Sequence, residues 1–201
     1  MSAAPEGRKR RPHRRDQILR AAMDLFHEKG YHATGMDEIG AAAGITGPGI
    51  YRHFKSKEQI LATGIREAVS EALERNRAIV GAGDSPRRAL EGLIANFVDG
   101  LLINRWLSAV LMRERHAMSP ATRRWVERAE DQHVADWVGA LRQVRPELSE
   151  GEASLMAHAG LWMCLCVVYY SSGLDPERES EMLTRMVSTA LTSDLAGLSA
   201  G

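Results

Sequence analysis

Apolar positions recur every three to four residues along nearly all of this chain, the period of amphipathic helices. Over residues 14–29, Ile18, Ala22, Leu25 and Phe26 fall on one face, and Gly30 follows where a helix stop belongs. A short second helix is expected from about Gly35 to Ala43, capped by Thr34, with Asp37 in the first turn where the helix end is positive. Gly44 permits a tight turn into a third helix over residues 47–53, with Thr46 as its cap. Ser56-Lys-Glu-Gln59 has capping-box spacing and opens a long fourth helix. Ile60, Leu61, Ile65, Ala68, Val69, Ala72 and Leu73 share its apolar face, and Gly81 and Gly83 stop it just after Val80.

Three later helices begin with one device, a capping residue followed by Pro: Ser85-Pro86, Ser119-Pro120 and Asp175-Pro176. The first carries Leu90, Leu93, Ile94, Phe97 and Leu101 on one side. A shorter helix is expected over Arg105 to His116. The helix after Pro120 runs to Val144, because the residue before Pro146 resists helical backbone. Ser149-Glu-Gly-Glu152 caps the next, expected to end near Gly173, and the last runs from Pro176 to about Leu195. No segment alternates with period two for long enough to predict a strand, and no internal repeat is visible. The fold class is all-α, with about nine helices and short connections.

Lys and Arg balance Asp and Glu at 26 each, but not evenly along the chain. Residues 1–63 hold 11 basic against 7 acidic side chains, with Arg8, Lys9, Arg10, Arg11, Arg14 and Arg15 bunched at the front. Such asymmetry marks an electrostatic footprint at one end. No apolar stretch follows the basic front, so it does not read as a secretory signal. The longest uninterrupted apolar run, Ala159 to Tyr170, has 12 residues, short for a bilayer span. A cytoplasmic location with no membrane partner is expected. Cys164 and Cys166 are the two cysteines, too few for a secreted disulfide framework.

The second and third helices, joined through glycine, have helix-turn-helix dimensions. In that motif the second helix enters the DNA major groove and its first residues meet base edges. Gly47-Pro48-Gly49 then makes sense as a thinned helix tip that does not hold the backbone off the groove floor. Direct readout falls on Tyr51, Arg52 and His53, with Pro48 available to a thymine methyl. Thr46 is placed to bond phosphate or base. Lys57, at the start of the fourth helix, is placed to hold a phosphate with the free backbone N–H groups there. Thr34 completes this set. The basic front reads as a disordered arm, residues 1–13, that tracks the backbone and inserts Arg10 or Arg11 into a minor groove, with Arg14 on the DNA beside it. A solubilising tail is the alternative.

Residues 31–61, "YHATGMDEIGAAAGITGPGIYRHFKSKEQIL", resemble the DNA-binding segment of TetR-family transcription regulators. Tyr31-His-Ala-Thr34, Ile39 to Ile45 and Tyr51-Arg-His-Phe-Lys-Ser-Lys57 fit the family pattern, with Gly40 in place of the usual Ala. The match is specific over roughly residues 14–61. The resemblance implies a homodimer that binds a near-palindromic double-stranded operator as a repressor and is released by a small molecule. It also implies Tyr51 and Lys57 on phosphates, Gly47, Pro48, Gly49, Arg52 and His53 facing the groove, and Phe54 in the core. The Gly-Pro-Gly tip departs from the more polar tip common in the family. Domains follow as 14–56 for DNA binding and 57–201 for ligand binding and dimerisation through the last two helices, with 57–80 as the connecting helix.

Residues 105–170 hold all four Trp. Val126, Ala129, His133, Trp137, Ala140, Leu141 and Val144 form one stripe, on which His133 is the lone polar residue. An aromatic-lined effector cavity is expected among the middle helices, built from Trp106, Val110, Trp125, Trp137, Trp162, Met163 and Cys166. His116 and His133 are its polar candidates, and Arg113 and Arg115 would meet an acidic head group. A lipophilic effector, an acyl chain or a polycyclic compound, fits this lining; core or dimer interface is the plainer role for each residue. No metal or other cofactor is expected, since the histidines form no i, i+4 pair and Cys164 and Cys166 point about 200° apart on a helix. Three other functions stay open: a thiol-based redox sensor, a helical interaction module with a polybasic tail, and an all-α enzyme acting on a hydrophobic molecule. No nucleophile–base pair, Walker lysine loop or His-Glu-x-x-His motif supports the enzyme.

Overall fold

The computed structural model describes residues 14–115 and 118–193. Among these the chain is helical without strands, in the order α1 (Arg14–Lys29), α2 (Met36–Ala42), α3 (Gly47–Ile50), α4 (Lys57–Gly81), α5 (Pro86–Ile103), α6 (Arg105–Glu114), α7 (Pro120–Val144), α8 (Glu150–Cys164), α9 (Cys166–Tyr169) and α10 (Pro176–Thr192). The described residues fall into two compact units divided between Gly64 and Ile65, within α4. The basic residues before Arg14 lie outside the described residues, as do His116 and the end of the chain beyond Ser193.

The first unit closes around Ile18, Ala22, Phe26, Ile39, Ile50, Phe54 and Ile60, all 2 % exposed or less. Ile18, Ala22, Phe26 and Ile60 are positions the helical period selects, Phe54 is the core residue the resemblance implies, and Ile39 and Ile50 join them. A Schellman motif ends α2: Gly44 takes φ +66°, its N–H donates to the Ala41 carbonyl, and the Ile45 N–H donates to Gly40. The expected cap on α2 is not formed. Gly35 is the N-cap, and the buried Thr34 hydroxyl donates to the Gly30 and Leu25 carbonyls at the end of α1. Those two carbonyls take the hydroxyl that would have capped α2. At the start of α4, Ser56 Oγ accepts from the Gln59 N–H, but the Gln59 carboxamide accepts from Lys55 rather than Ser56. The expected capping box is therefore half formed.

In the second unit α5 packs on both α7 and α10, and α8 packs on α7 and α10. Its core comprises Leu90, Leu93, Ile94, Val98, Trp137, Leu141, Ala157, Cys164 and Val187 among others. The Ser119 and Asp175 side chains accept from the N–H groups of Thr122 and Arg178, and Ser149 and Glu152 form a reciprocal capping box. Ser85 occupies its N-cap position without a side-chain bond. The α8–α7–α10 junction is tight at Gly160. A Cβ there would meet Trp137 Cζ3 at 3.1 Å, Leu191 at 3.2 Å and Val187 at 3.3 Å.

The expected single helix from Glu150 to Gly173 is broken. It stops at Cys164, turns at Leu165, resumes as the four-residue α9, and is extended at Tyr170. Val167, Val168, Tyr169 and Tyr170 are weak helix formers, and the break still leaves Val167 in the core. By length and composition Glu150–Tyr169 matches a membrane-crossing helix. Ala153, Ala157, Gly160, Leu161 and Cys164 nonetheless form a buried face on it.

Candidate nucleic-acid interface

The α2–turn–α3 segment presents an uninterrupted polar and aromatic edge. Thr46, Pro48, Arg52 and His53 are exposed, and Tyr51 is 46 % exposed. The side chains of Thr46, Tyr51, Arg52 and His53 make no hydrogen bond or ion pair among the described residues, Thr46 standing at the N-cap of α3 without a side-chain cap bond. Between them Ile50 and Phe54 point inward and are fully buried, which anchors the exposed side chains to the unit's core. The third helix is shorter than its expected span. Regular helix ends at Ile50, and residues 51–53 continue as turn, with the N–H groups of Arg52 and His53 donating to Gly49 and Ile50.

Gly49 is not demanded by the backbone. Its φ is not positive, and an added Cβ would meet only Thr46 Oγ1 at 3.4 Å and Ile45 at 3.7 Å, ordinary contacts. The unit's own packing thus has room for alanine at this point of the helix tip.

Lys57 departs from expectation. Its ammonium donates to the carbonyls of Tyr31 at 2.7 Å, Thr34 at 2.8 Å and His32 at 3.2 Å. It also stands 4.6 Å over the Tyr31 ring. An ammonium has three protons, so all are committed inside the unit and none is left for a phosphate. Thr34 is likewise 2 % exposed and its hydroxyl is used internally, so it is not presented to a partner. Arg14 is exposed and donates to Gln17. Arg15 lies over the Phe54 ring at 4.7 Å and donates to Thr63. An ion pair between Lys29 and Glu38 ties α1 to α2 and holds the Glu38 carboxyl below its usual range.

Residues 18–63 match the model of the bacterial regulatory proteins of the tetR family. This segment is the DNA-binding domain of the TetR family. Over 89 residues it is 35 % identical to the HTH-type transcriptional activator FasR of Mycolicibacterium smegmatis, covering 44 % of this chain and 41 % of that protein. Over 90 residues it is 34 % identical to the HTH-type transcriptional repressor KstR2 of the same organism, covering 45 % and 44 %. The chain thus spans less than half the length of these two relatives. Among solved structures, a TetR/AcrR-family regulator from Thermobifida fusca superposes with a TM-score of 0.73 at 28 % identity, covering 87 % of this chain and 96 % of that one. AibR, solved with isovaleryl coenzyme A and operator DNA, shares the fold with a TM-score of 0.70 at 23 % identity, covering 86 % and 97 %.

Of the described residues expected to line an effector cavity, Trp137 and His133 meet at Phe97, and the others are scattered. Trp137 is fully buried in the core and His133 is 7 % exposed, both edge-on to Phe97. Trp162 is 63 % exposed on α8, and Cys166 is also exposed. Trp125 lies under the Arg66 guanidinium at 5.5 Å. Trp106 and Val110 are half-buried on α6, Met163 packs against the core from outside, and Arg113 is exposed. Arg115 is held by both oxygens of Glu130, at 2.9 and 2.8 Å. The tryptophans are dispersed because a stripe at helical period positions residues on one helix only, whereas these sit on α6, α7 and α8 with different neighbours. A groove of about 1040 Å³ lies between α5 and α10, with Ala95, Leu102 and Ile103 on its walls and charged side chains such as Arg87, Asp99, Glu177 and Arg185 around them.

Sequence reasoning passed over Asn76 and Asn96, which are 0 % and 7 % exposed and hydrogen-bonded to each other. The signal was present: Asn76 continues the stripe of Ala72 and Leu73, an amide where the pattern calls for an apolar side chain.

Proposed function

We propose that this chain is a ligand-responsive transcriptional repressor that binds a near-palindromic operator as a homodimer and is released by a small lipophilic effector. The carrying observation is the run Thr46 to His53, whose exposed side chains are unpaired while Ile50 and Phe54 lock them to a core. Gly49, which the packing does not require, supports a tip kept thin for close approach to a groove floor. Thr46, Pro48, Tyr51, Arg52 and His53 are the contacting residues, with Arg14 and the preceding Arg10 and Arg11 on flanking phosphates or the minor groove. Lys57 positions this surface rather than touching DNA.

KstR2 is named a repressor and FasR an activator, so both directions exist among relatives. Repression is the reading here because KstR2 proteins recur among them. AibR's structure with an acyl coenzyme A and operator DNA supports a small-molecule effector. Residues 14–56 serve DNA binding and 57–201 effector binding and dimerisation, in the cytoplasm. The dimer forms through α8 and α10, which expose Leu155, Trp162, Met182 and Met186, all more than 40 % accessible in the single chain. An effector must bind one arrangement of the connecting helix, residues 57–80, more tightly than the other, or it shifts nothing.

Selection of bound duplexes from random DNA with the purified full chain, at stated salt, tests this reading. A two-fold symmetric site is expected, its half-sites about one helical turn or a multiple apart. A monomer in solution, or binding without sequence preference, would overturn it.

A further inference from the structure

A line of buried polar side chains crosses the second unit. Arg75 Nε donates to Asn96 Oδ1 at 2.6 Å. Asn96 Nδ2 donates to the Ala72 carbonyl at 2.9 Å and to Asn76 Oδ1 at 2.7 Å. Asn76 Nδ2 donates to Asp136 Oδ2 at 2.9 Å and stands 3.2 Å from His133 Nδ1. The polarity of the line is set at its ends, since a guanidinium only donates and a carboxylate or carbonyl only accepts. Neither amide can be turned round. Asn76 therefore offers N–H to His133 Nδ1, which must present its lone pair. Burial lowers the imidazole's pKa, against the opposing pull of Asp136. The neutral ring then carries its one proton on Nε2, which has no hydrogen-bond partner among the described residues.

One turn further along α7, the fully buried Trp137 has an Nε1–H with no acceptor. Its Cζ3 atom lies close to Gly160, so the N–H, on the opposite edge of the indole, faces away from that point of α8. Both rings stand edge-on to the half-buried Phe97, at centroid distances of 5.4 and 5.9 Å. An orphaned buried donor carries its full desolvation penalty unless something accepts from it.

We propose that His133 Nε2–H and Trp137 Nε1–H, beside Phe97, form the polar subsite for a neutral carbonyl oxygen, a ketone, ester or thioester, on an otherwise apolar effector. This rests on the regulator reading and names the chemistry of its effector. Two donors without an acceptor exclude ammonium ions, which only donate, as the recognised group. The neighbouring Asp136 carboxylate disfavours a carboxylate ligand and leaves the neutral oxygen.

The test uses the full chain with indole nitrogens isotopically labelled, titrated with decan-2-one, decane, decanoate and decylamine. Trp137→Phe keeps one aromatic ring and removes the pyrrole part of the indole with its N–H, which also assigns the Trp137 resonance by its absence; the loss specific to the N–H is the extra loss for the ketone over that for decane. Decan-2-one is expected to bind best, to move that resonance, and to bind Trp137→Phe about tenfold more weakly, the value of one hydrogen bond to a buried donor. Unliganded Trp137→Phe is expected to unfold in one cooperative transition like the wild type, read by circular dichroism. Equal binding of ketone and decane, no binding of the ketone, preference for decylamine, or an unaffected Trp137→Phe overturns the subsite. If sequence-specific DNA binding is absent while the ketone still moves the indole resonance, the regulator reading fails and the subsite stands.

Discussion

The Lys57 ammonium donates to the Tyr31 carbonyl at 2.7 Å while standing 4.6 Å over the ring of the same residue. With the His32 and Thr34 carbonyls also taken, this one cation ties the α1–α2 connection to the first turn of α4. Lys57→Ala is expected to destabilise the first unit by about 1.5–3 kcal/mol, the range for a hydrogen bond to a charged group. DNA binding should weaken for all sequences while its salt dependence is retained. A lost phosphate contact would instead lower the log–log salt slope by about 0.9. Thermal unfolding together with affinity at several salt concentrations separates the two. A slope reduced by a full contact would restore Lys57 to the phosphate role.

Gly49→Ala separates stability from recognition. The backbone there is not left-handed and the added methyl meets only ordinary contacts, so stability should hold or rise by about 0.4–1 kcal/mol. Operator affinity should nonetheless fall, because the methyl projects from the surface proposed to face the groove. Unchanged affinity in a titration against the selected operator would mean that the thin tip is not in the groove.

Gly160→Ala should act in the opposite sense. Three side chains from two other helices lie within 3.3 Å of the new methyl, one of them the fully buried Trp137. Overpacking of this kind typically costs about 1–3 kcal/mol. Chemical denaturation should show the loss, and a variant as stable as the wild type would place more slack at the α7–α8–α10 junction than the distances allow.

His133 makes stability depend on pH. Its folded pKa lies below the ordinary value of 6.5 because burial disfavours the imidazolium, with Asp136 opposing. The unfolded chain therefore takes up a proton before the folded one does. Stability from this group is present above about pH 6.5 and is lost as pH falls from there towards the folded pKa. Melting temperatures followed downwards through that window should drop more for the wild type than for His133→Gln, which cannot titrate. Parallel curves would show that the imidazole is not held neutral.

The cysteines should differ in reactivity. Burial and the nearby Cys166 push the Cys164 thiol up to about 12, and its sulfur is inaccessible, whereas Cys166 is exposed. Iodoacetamide on the folded protein should give a single adduct, mapped by mass spectrometry to Cys166. Rapid double labelling would revive a thiol-sensing role.

Much of the helical order was legible in the chain because period and punctuation are local. Ser119-Pro120 and Asp175-Pro176 mark helix starts through groups a few residues apart, and Gly44 marks the left-handed turn after α2. The exposed edge from Thr46 to His53 was legible for the same reason, since its residues lie within two turns of chain. Where distant groups compete for one side chain, local pattern misleads. Thr34 has the right spacing to cap α2, but the end of α1 takes its hydroxyl, and Lys57 looks free until the loop 23 to 26 residues earlier folds under it.

By itself the sequence determined the all-helical class, the start of most helices and the place of the segment that the tetR-family model matches, since these follow from backbone propensity and spacing along one element. Tertiary structure alone decided that the tryptophans disperse, that α8 breaks at Leu165, and that Asn76, Asn96 and His133 meet inside the second unit. The physical reason is that a buried hydrogen bond has both direction and a fixed length of about 3 Å. Such a bond between separate helices exists only once packing has set their distance and rotation.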